Sequence, residues 1–160
     1  MKKLFLILIL LFTTKAIFAP GVERDPGEVI ENYLCNYAEL NRENLDLAFR
    51  INRITAPEIV MAQGHLETGN FQSKLCIGHN NLFGMKLARI RSTTALGATD
   101  NDYASYRSWY DSVKDMKLFQ EWYLSRGRDL TDYYGFLSAI GYAEDPLYIP
   151  KVKELCIALR

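Results

Sequence analysis

The sequence predicts a mainly α-helical domain of the α+β class, in which one small β-hairpin lobe interrupts the helices. Two observations lead to this prediction. Apolar residues recur at helical spacing behind capping signals on both sides of the chain's centre. Between these helical regions, residues 79–110 are rich in turn-forming Asn and Gly and contain short β-prone pieces. The chain of 160 residues is long enough for one domain with a substantial core.

The first 19 residues have the pattern of a secretory signal. Two lysines precede the apolar run LFLILILLF, which is too short for a comfortable transmembrane helix. We expect cleavage after Ala19 and a single mature domain over residues 20–160, exported to the periplasm or the cell envelope. Lys15 and Pro20 weaken this cleavage site, so an uncleaved N-terminal membrane anchor is the alternative.

The first two helices are predicted ahead of the central motif. Asp25 is placed as N-cap, with Pro26 in the first turn and Glu28 as the capping-box acid. The apolar stripe that follows consists of Val29, Ile30, Tyr33, Leu34 and Tyr37. A second, shorter helix is expected over residues 43–54.

The third helix is expected to begin at a capping box, Thr55-Ala56-Pro57-Glu58, and to end at Gly69, a natural left-handed terminator. Its core stripe is predicted to be Ile59, Ala62 and Leu66. Val60, Gln63 (or Gly64) and Glu67 fall on a neighbouring face, so Glu67 is not forced into the core.

Three further helices are predicted after the hairpin lobe. Two lie within residues 112–126 and 130–141, and the second ends at Gly141. The last lies near the C-terminus, where Asp145-Pro146 offers a start. Since Pro150 would then fall inside the helix, we place its secure part after Pro150.

Charge and cysteine content narrow the function classes. Lys+Arg and Asp+Glu are 19 each, so no electrostatic feature indicates nucleic acid. Cys35, Cys76 and Cys156 are an odd set, from which one pair could form a disulfide after export. The preferred interpretation is three buried, unpaired thiols. We expect a monomer without a cofactor. We also expect no metal site, because His65 and His79 lack a third ligand at suitable spacing.

Glu67 is the candidate catalytic group. A carboxylate in the last turn of a helix lies at the negative end of the helix dipole, which favours its protonated form. Partial burial in a cleft raises its pKa further, as a general acid near neutral pH requires. Glycoside cleavage needs such an acid, together with a group that supplies water or stabilises the oxocarbenium-like centre. On this reasoning alone, an ordinary surface Glu at a helix end is the competing interpretation.

Four ordered motifs carry a family resemblance. PEIVMAQGHLETGNFQSKL, NNLFGMK, YASYRSWYDSVKDM and GYAEDPLYIPKV follow one another from Pro57 to Val152. Together they resemble the signature of the peptidoglycan-cleaving endo-β-N-acetylglucosaminidases, glycoside hydrolase family 73. The resemblance implies a lysozyme-like fold, as in goose-type lysozymes and lytic transglycosylases, with a helical lobe, a β-hairpin lobe and a groove for a glycan strand of peptidoglycan.

The resemblance also implies roles for individual residues. Glu67 matches the general acid, and Tyr142 matches the active-site tyrosine before the final helix. The family's cleft-forming segment is matched by Asn80, Asn81, Phe83 and Gly84. From their residue type, Tyr106, Trp109 and Tyr110 could line the groove, because aromatic faces stack on pyranose rings, although core packing accounts for at least one of them. Tyr148 in the closing motif is a further expected substrate contact.

This chain departs from the family pattern in the hairpin. Many members carry a second acid there in a Thr-x-Glu setting, whereas RSTTALGATDNDY contains no glutamate. Asp102 is the candidate for the second role, with Asp100 nearby; the substrate's own N-acetyl group or an intramolecular reaction are the alternatives. The expected activity is hydrolysis of the β-1,4 bond between N-acetylglucosamine and N-acetylmuramic acid. A lytic transglycosylase and a catalytically weak glycan-binding scaffold are the competing functions.

Overall fold

The computed structural model describes residues 25–160. The predicted signal and its cleavage site lie outside the described residues. Residues 33–160 form one compact unit, and residues 25–32 belong to another. No helix within residues 25–160 is both long and apolar enough to cross a membrane.

The described chain is mainly helical with one small antiparallel sheet, as predicted. In chain order its elements are α1 (Pro26–Asn36), α2 (Arg42–Ile51), α3 (Pro57–Thr68), α4 (Lys74–His79), β1 (Gly97–Ala98), β2 (Ala104–Ser105), α5 (Trp109–Leu124), α6 (Tyr133–Ala139) and α7 (Tyr148–Ala158). Helix α3 packs against α7, which brings the central motif and the closing motif of the sequence together.

Helix α1 begins as predicted and ends one residue before the predicted stripe does. The Asp25 carboxylate accepts a hydrogen bond from the Gly27 amide at 3.1 Å, which is the N-cap arrangement. Leu34 is 1 % exposed, but Tyr37 is 74 % exposed. The inclusion of Tyr37 in the apolar stripe is therefore wrong, because the helix ends at Asn36 and the periodicity no longer applies beyond it.

Helix α2 begins behind Asn41, whose side chain accepts from the Asn44 amide. It ends at Ile51, three residues earlier than predicted. Asn52 caps it, and Arg53 has a left-handed backbone at φ 50°. Leu45, Ala48 and Phe49 form its buried face.

Helix α3 ends as predicted but does not begin as predicted. Gly69 caps its C-terminus in the left-handed region at φ 56°. At the N-terminus, Ala56 occupies the cap position at φ 52°, and no side chain caps the helix. The predicted capping box is absent because Thr55 is engaged elsewhere: its amide donates to Gln120 Oε1 at 2.8 Å, and its carbonyl accepts from Gln120 Nε2 at 3.0 Å.

The predicted hairpin lobe is present and short. Gly97 pairs with Ser105 and Ala98 with Ala104 in antiparallel register. The chain around β2 also hydrogen-bonds to the segment after α4, through Ala104 N to Met85 O at 2.8 Å and Leu87 N to Asp102 O at 2.9 Å. The hairpin is thereby joined to the NNLFGMK motif.

The last helix includes the proline that was expected to precede it. Helix α7 begins at Tyr148, so Pro150 is its third residue. Proline is tolerated there because the first four N–H groups of a helix have no partner within it. Asp145 accepts hydrogen bonds from the Leu147 amide and from Lys151, which holds the approach to the helix.

All three cysteines are free thiols in the structure. Cys76 and Cys156 are each 4 % exposed, as the preferred interpretation requires. Cys35 is only partly buried, and its sulfur lies 3.5 Å from Ser108 Oγ. The prediction that all three thiols are buried is therefore wrong for Cys35.

Candidate active site

Glu67 lies one residue before the end of α3 and is partly buried. Burial raises the pKa of its carboxyl group above the ordinary value of 4.5, and a hydrogen bond with Tyr148 opposes this rise. The first cause is desolvation of the charged form. A carboxyl group in this environment retains its proton to higher pH than a surface glutamate does.

Gly84 borders the Glu67 carboxyl group. A Cβ atom on residue 84 would lie 2.9 Å from Glu67 Oε2 and 3.5 Å from its Cδ. The residue also has a left-handed backbone, with φ +62°. Glycine satisfies both requirements at once, because it has no Cβ and adopts positive φ without strain. The NNLFGMK motif thus contributes a backbone wall to the site.

Tyr148 connects Glu67 to a second residue of α3. Its hydroxyl accepts a hydrogen bond from Gln63 Nε2 at 3.1 Å and is hydrogen-bonded to Glu67. Burial raises the pKa of Tyr148 well above its ordinary value, and the nearby Glu67 charge raises it further. Because Tyr148 is the first residue of α7, the packing of α7 on α3 brings the Tyr148 hydroxyl close to the Glu67 carboxyl group.

Tyr142 lies beside the same pair. Its hydroxyl donates to the Phe83 carbonyl at 3.0 Å, and its ring centroid is 5.6 Å from that of Tyr148. Burial raises the pKa of Tyr142 well above 10.0, with further contributions from Tyr148 and Glu67. Tyr142 therefore stays protonated and joins the closing motif to the loop that ends at Gly84.

Two residues expected to contact substrate hold this loop. Asn81 is fully buried; its Nδ2 donates to the carbonyls of Met85 and Ala104, and its Oδ1 accepts from the Met85 amide at 3.0 Å. Phe83 is 1 % exposed and packs against Phe49. Both side chains lie inside the domain, and the Asn81 amide is already hydrogen-bonded. The glycan contact expected of these two residues stays a prediction.

Asn80 has a related role at the end of α4. It caps the helix in the left-handed region at φ 54°. Its Nδ2 donates to the carbonyls of Tyr106 and Arg107, each at 3.1 Å. Asn80 thereby joins α4 to the chain that follows β2.

Tyr106 and Trp109 also belong to the core. They are 3 % and 7 % exposed. The Tyr106 hydroxyl donates to Asp115 Oδ2, and Trp109 Nε1 donates to the Ala38 carbonyl, both at 2.8 Å. Ser108 caps α5, so Trp109 starts a helix rather than continuing a strand, and both aromatic side chains are packed inside the domain. Their contact with sugar rings stays a prediction.

Asp102 lies in the turn between β1 and β2, with φ 63°. Its Oδ1 accepts a hydrogen bond from Arg89 at 2.7 Å, and about half of its side chain remains exposed. Its carbonyl accepts from the Leu87 amide, three residues after Gly84. An extended chain of three residues spans at most about 10 Å. Asp102 is therefore tied to the same segment that borders Glu67.

A buried ion pair near the hairpin was not anticipated from the sequence. Arg91 contacts Asp115 through two hydrogen bonds of 2.8 and 3.0 Å. Burial alone would raise the pKa of Asp115, but the bonds and charge of Arg91, with Thr93 and Tyr106, bring it below the ordinary value. The pair attaches the loop before β1 to α5.

Gln63 is a fully buried neighbour of Glu67 to which the sequence analysis assigned no role. It precedes Glu67 by four residues, so the two side chains are neighbours on α3. No sequence pattern indicated that a tyrosine 85 residues later would bond to it. Among residues 25–160, no group of three or more His, Cys, Asp or Glu side chains is placed to hold a metal ion.

Comparison with known proteins gives one family and one structural neighbour. The family model "Glucosaminidase: Mannosyl-glycoprotein endo-beta-N-acetylglucosaminidase" matches residues 46–159. The catalytic domain of the autolysin Auto from Listeria monocytogenes aligns with a TM-score of 0.46 and 18% identity over 92% of each chain. No curated protein matches significantly.

Proposed function

Because the chain belongs to the glucosaminidase family of glycoside hydrolases, we propose that it hydrolyses peptidoglycan at the β-1,4 bond between N-acetylglucosamine and N-acetylmuramic acid. The observation that supports this most directly is the environment of Glu67, a partly buried carboxyl group whose pKa is raised and which accepts a tyrosine hydrogen bond. The family supplies the reaction class, and the environment of Glu67 supplies a group suited to it.

Glu67 acts as the general acid. A glycosidic oxygen leaves as a poor anion unless it is protonated in the transition state, and a carboxylic acid with a raised pKa retains the proton for that step. Tyr148 binds the carboxyl group and Gly84 borders it. These two neighbours support a defined direction for the proton of the carboxyl group.

Asp102 takes the second catalytic role in this proposal. Its exposed position leaves carboxylate surface available for a water molecule or for the sugar ring. The hydrogen bond from the Leu87 amide to its carbonyl supports this role, because Leu87 follows Gly84, the neighbour of Glu67, by three residues. The N-acetyl oxygen of the substrate is the competing candidate, because the hairpin contains no glutamate.

The missing glutamate also favours one alternative activity. A lytic transglycosylase needs a single acid, since the 6-hydroxyl of the muramyl sugar attacks and no water is consumed. Either activity acts on peptidoglycan, so the protein would work in the cell envelope, to which its N-terminal apolar segment would direct it. Product mass distinguishes the two reactions.

The test is mass spectrometry of sacculi digested by the wild-type protein and by Glu67→Gln. Hydrolysis at the proposed bond leaves reducing N-acetylglucosamine ends, and the Glu67→Gln digest should contain none. Recovery of 1,6-anhydro muramyl ends would establish the transglycosylase instead. Binding to sacculi without any release of fragments by the wild type would indicate a glycan-binding scaffold, and full activity of Glu67→Gln would remove Glu67 from the mechanism.

A further inference from the structure

Gln63 is a buried polar residue whose presence packing alone does not explain. It is fully buried in the middle of α3, where Leu or Met would fill a similar volume. Its Nε2 donates to Tyr148, while its Oε1 has no hydrogen-bond partner among the described residues. A buried acceptor without a partner costs free energy. An amide retained under that cost indicates that its single hydrogen bond has a use.

The use follows from the hydrogen-bonding capacity of a phenol. A tyrosine hydroxyl has one proton to donate and accepts through its lone pairs. Since Gln63 Nε2 donates to the Tyr148 oxygen, the hydroxyl proton is directed away from Gln63. The remaining hydrogen bond of this hydroxyl is with Glu67. The chain of donors thus runs from Gln63 through Tyr148 to Glu67.

We propose that Gln63 is a positioning residue for the glycosidase reaction: by donating to Tyr148, it directs the tyrosine proton to Glu67 and so orients the catalytic carboxyl group. This inference rests on the proposed role of Glu67 as general acid. With one carboxyl oxygen bound by Tyr148, the other is left to carry the proton towards the glycosidic oxygen. Without Gln63, the Tyr148 hydroxyl rotates freely and the carboxyl group loses its fixed direction.

The hydrogen bond has a second effect on Glu67. A donor to the charged form of a carboxyl group favours that form, so the Tyr148 hydroxyl lowers the Glu67 pKa against the larger effect of burial. The further titratable groups that act on the pair are Tyr142, from the segment between α6 and α7, and Tyr133, from α6. Neither carries a positive charge that could replace the lost hydrogen bond.

The experiment compares Gln63→Met, Tyr148→Phe and the double variant by the pH dependence of kcat on purified glycan strands. In each single variant kcat should fall roughly tenfold, a fraction of what a positioned general acid contributes. The pH at which activity is lost as Glu67 deprotonates should move upward, because a hydrogen bond that lowers its pKa has been removed. The double variant should behave as Tyr148→Phe does, since Gln63 acts only through Tyr148.

Gln120→Met is the matched control. Gln120 is also fully buried and donates to a tyrosine hydroxyl, that of Tyr133, at 3.0 Å. Its replacement should lower thermal stability, because its two bonds to Thr55 are lost as well, and should leave the pH profile unmoved. If Gln63 has only a structural role, Gln63→Met should likewise lower thermal stability and leave the pH profile of kcat unmoved.

An unmoved pH profile in Gln63→Met, or losses that multiply in the double variant, would overturn the inference. If Gln63→Met does not fold, Gln63→Asn replaces it, because the shorter amide does not reach Tyr148. An unmoved profile in Tyr148→Phe overturns the inference by itself. The failure of the proposed function gives a different result. If Glu67 is not the general acid, Glu67→Gln is active; if only the role of Gln63 is wrong, Glu67→Gln is still inactive.

Discussion

The carboxyl group of Glu67 lies so close to the backbone of Gly84 that no side chain fits between them. A Cβ atom on residue 84 would be 2.9 Å from Oε2, which is shorter than the distances that Cβ atoms keep from other atoms in proteins. This contact joins the helix that carries the acid to the loop that follows α4. It makes the glycine of the NNLFGMK motif a determinant of the acid's position.

Replacement of this glycine should therefore damage both stability and activity. Gly84→Ala introduces a Cβ at φ +62° and pushes against Glu67. We expect a loss of about 1–3 kcal/mol in the free energy of unfolding. Activity should fall further than the unfolded fraction explains, because the carboxyl group is displaced. Urea unfolding and glycan-strand turnover measure the two effects.

Gly78→Ala is the control for this variant. Gly78 lies in α4 without a positive φ, and a Cβ added to it would meet no atom within 4 Å. Alanine there should stabilise the protein by about 0.4–1 kcal/mol and leave turnover unchanged. Equal changes in stability and turnover for Gly84→Ala and Gly78→Ala would show that the contact between residue 84 and Glu67 does not matter.

Glu67 should make stability depend on pH in a defined direction. Its folded pKa is raised above the ordinary value of 4.5, so the folded state holds a proton that the unfolded state has released. The protonated carboxyl group's contribution to stability is fully present below pH 4.5 and is lost as the pH rises through the folded pKa. Glu67→Gln removes this dependence.

The measurement is the free energy of unfolding of wild type and Glu67→Gln across this range. The free energy of unfolding of Glu67→Gln minus that of wild type should be larger at neutral pH than at pH 4.5. Glu58→Gln is the matched control, since Glu58 is an exposed residue of the same helix. A wild-type curve parallel to that of Glu67→Gln would contradict the raised pKa.

Asp102→Asn tests the second catalytic role without disturbing the turn, because asparagine also tolerates the left-handed backbone that Asp102 adopts. If Asp102 supplies the second carboxylate, kcat should fall by roughly 10²–10⁴-fold. Asp100→Asn, two residues earlier in the same turn, should keep its activity. Loss limited to a few-fold in Asp102→Asn would leave the substrate's N-acetyl group as the participant.

Arg91 and Asp115 should be strongly coupled in stability. Arg91→Met leaves a fully buried carboxylate without its partner, and we expect a loss of about 3–5 kcal/mol. The double variant Arg91→Met/Asp115→Leu should recover part of that loss, because no unpaired charge remains. Thermal unfolding of the single and double variants gives the coupling. Additive losses would show that the pair is not a unit.

Features that depend on neighbouring residues could be predicted from the sequence by itself. The order of the longer helices, the Asp25 cap, the end of α3 at Gly69 and the irregular hairpin all follow from periodicity and turn chemistry. The short helix α4 was not predicted. The exceptions have physical reasons. The predicted capping box at Thr55 does not form, because Gln120 of another helix binds the Thr55 backbone. Pro150 lies inside α7, because the first turn of a helix needs no amide donor.

Burial and hydrogen-bond partners were decided only by the tertiary structure. Tyr106 and Trp109 looked like sugar-stacking residues, yet the packing of α5 buries both. The bond between Gln63 and Tyr148 joins residues 85 positions apart. Periodicity and caps are properties of a few consecutive residues, whereas the environment of Glu67 arises when α7 packs on α3 and the Gly84 loop closes against it. The sequence by itself therefore determined which acid to consider, and the fold decided what surrounds that acid.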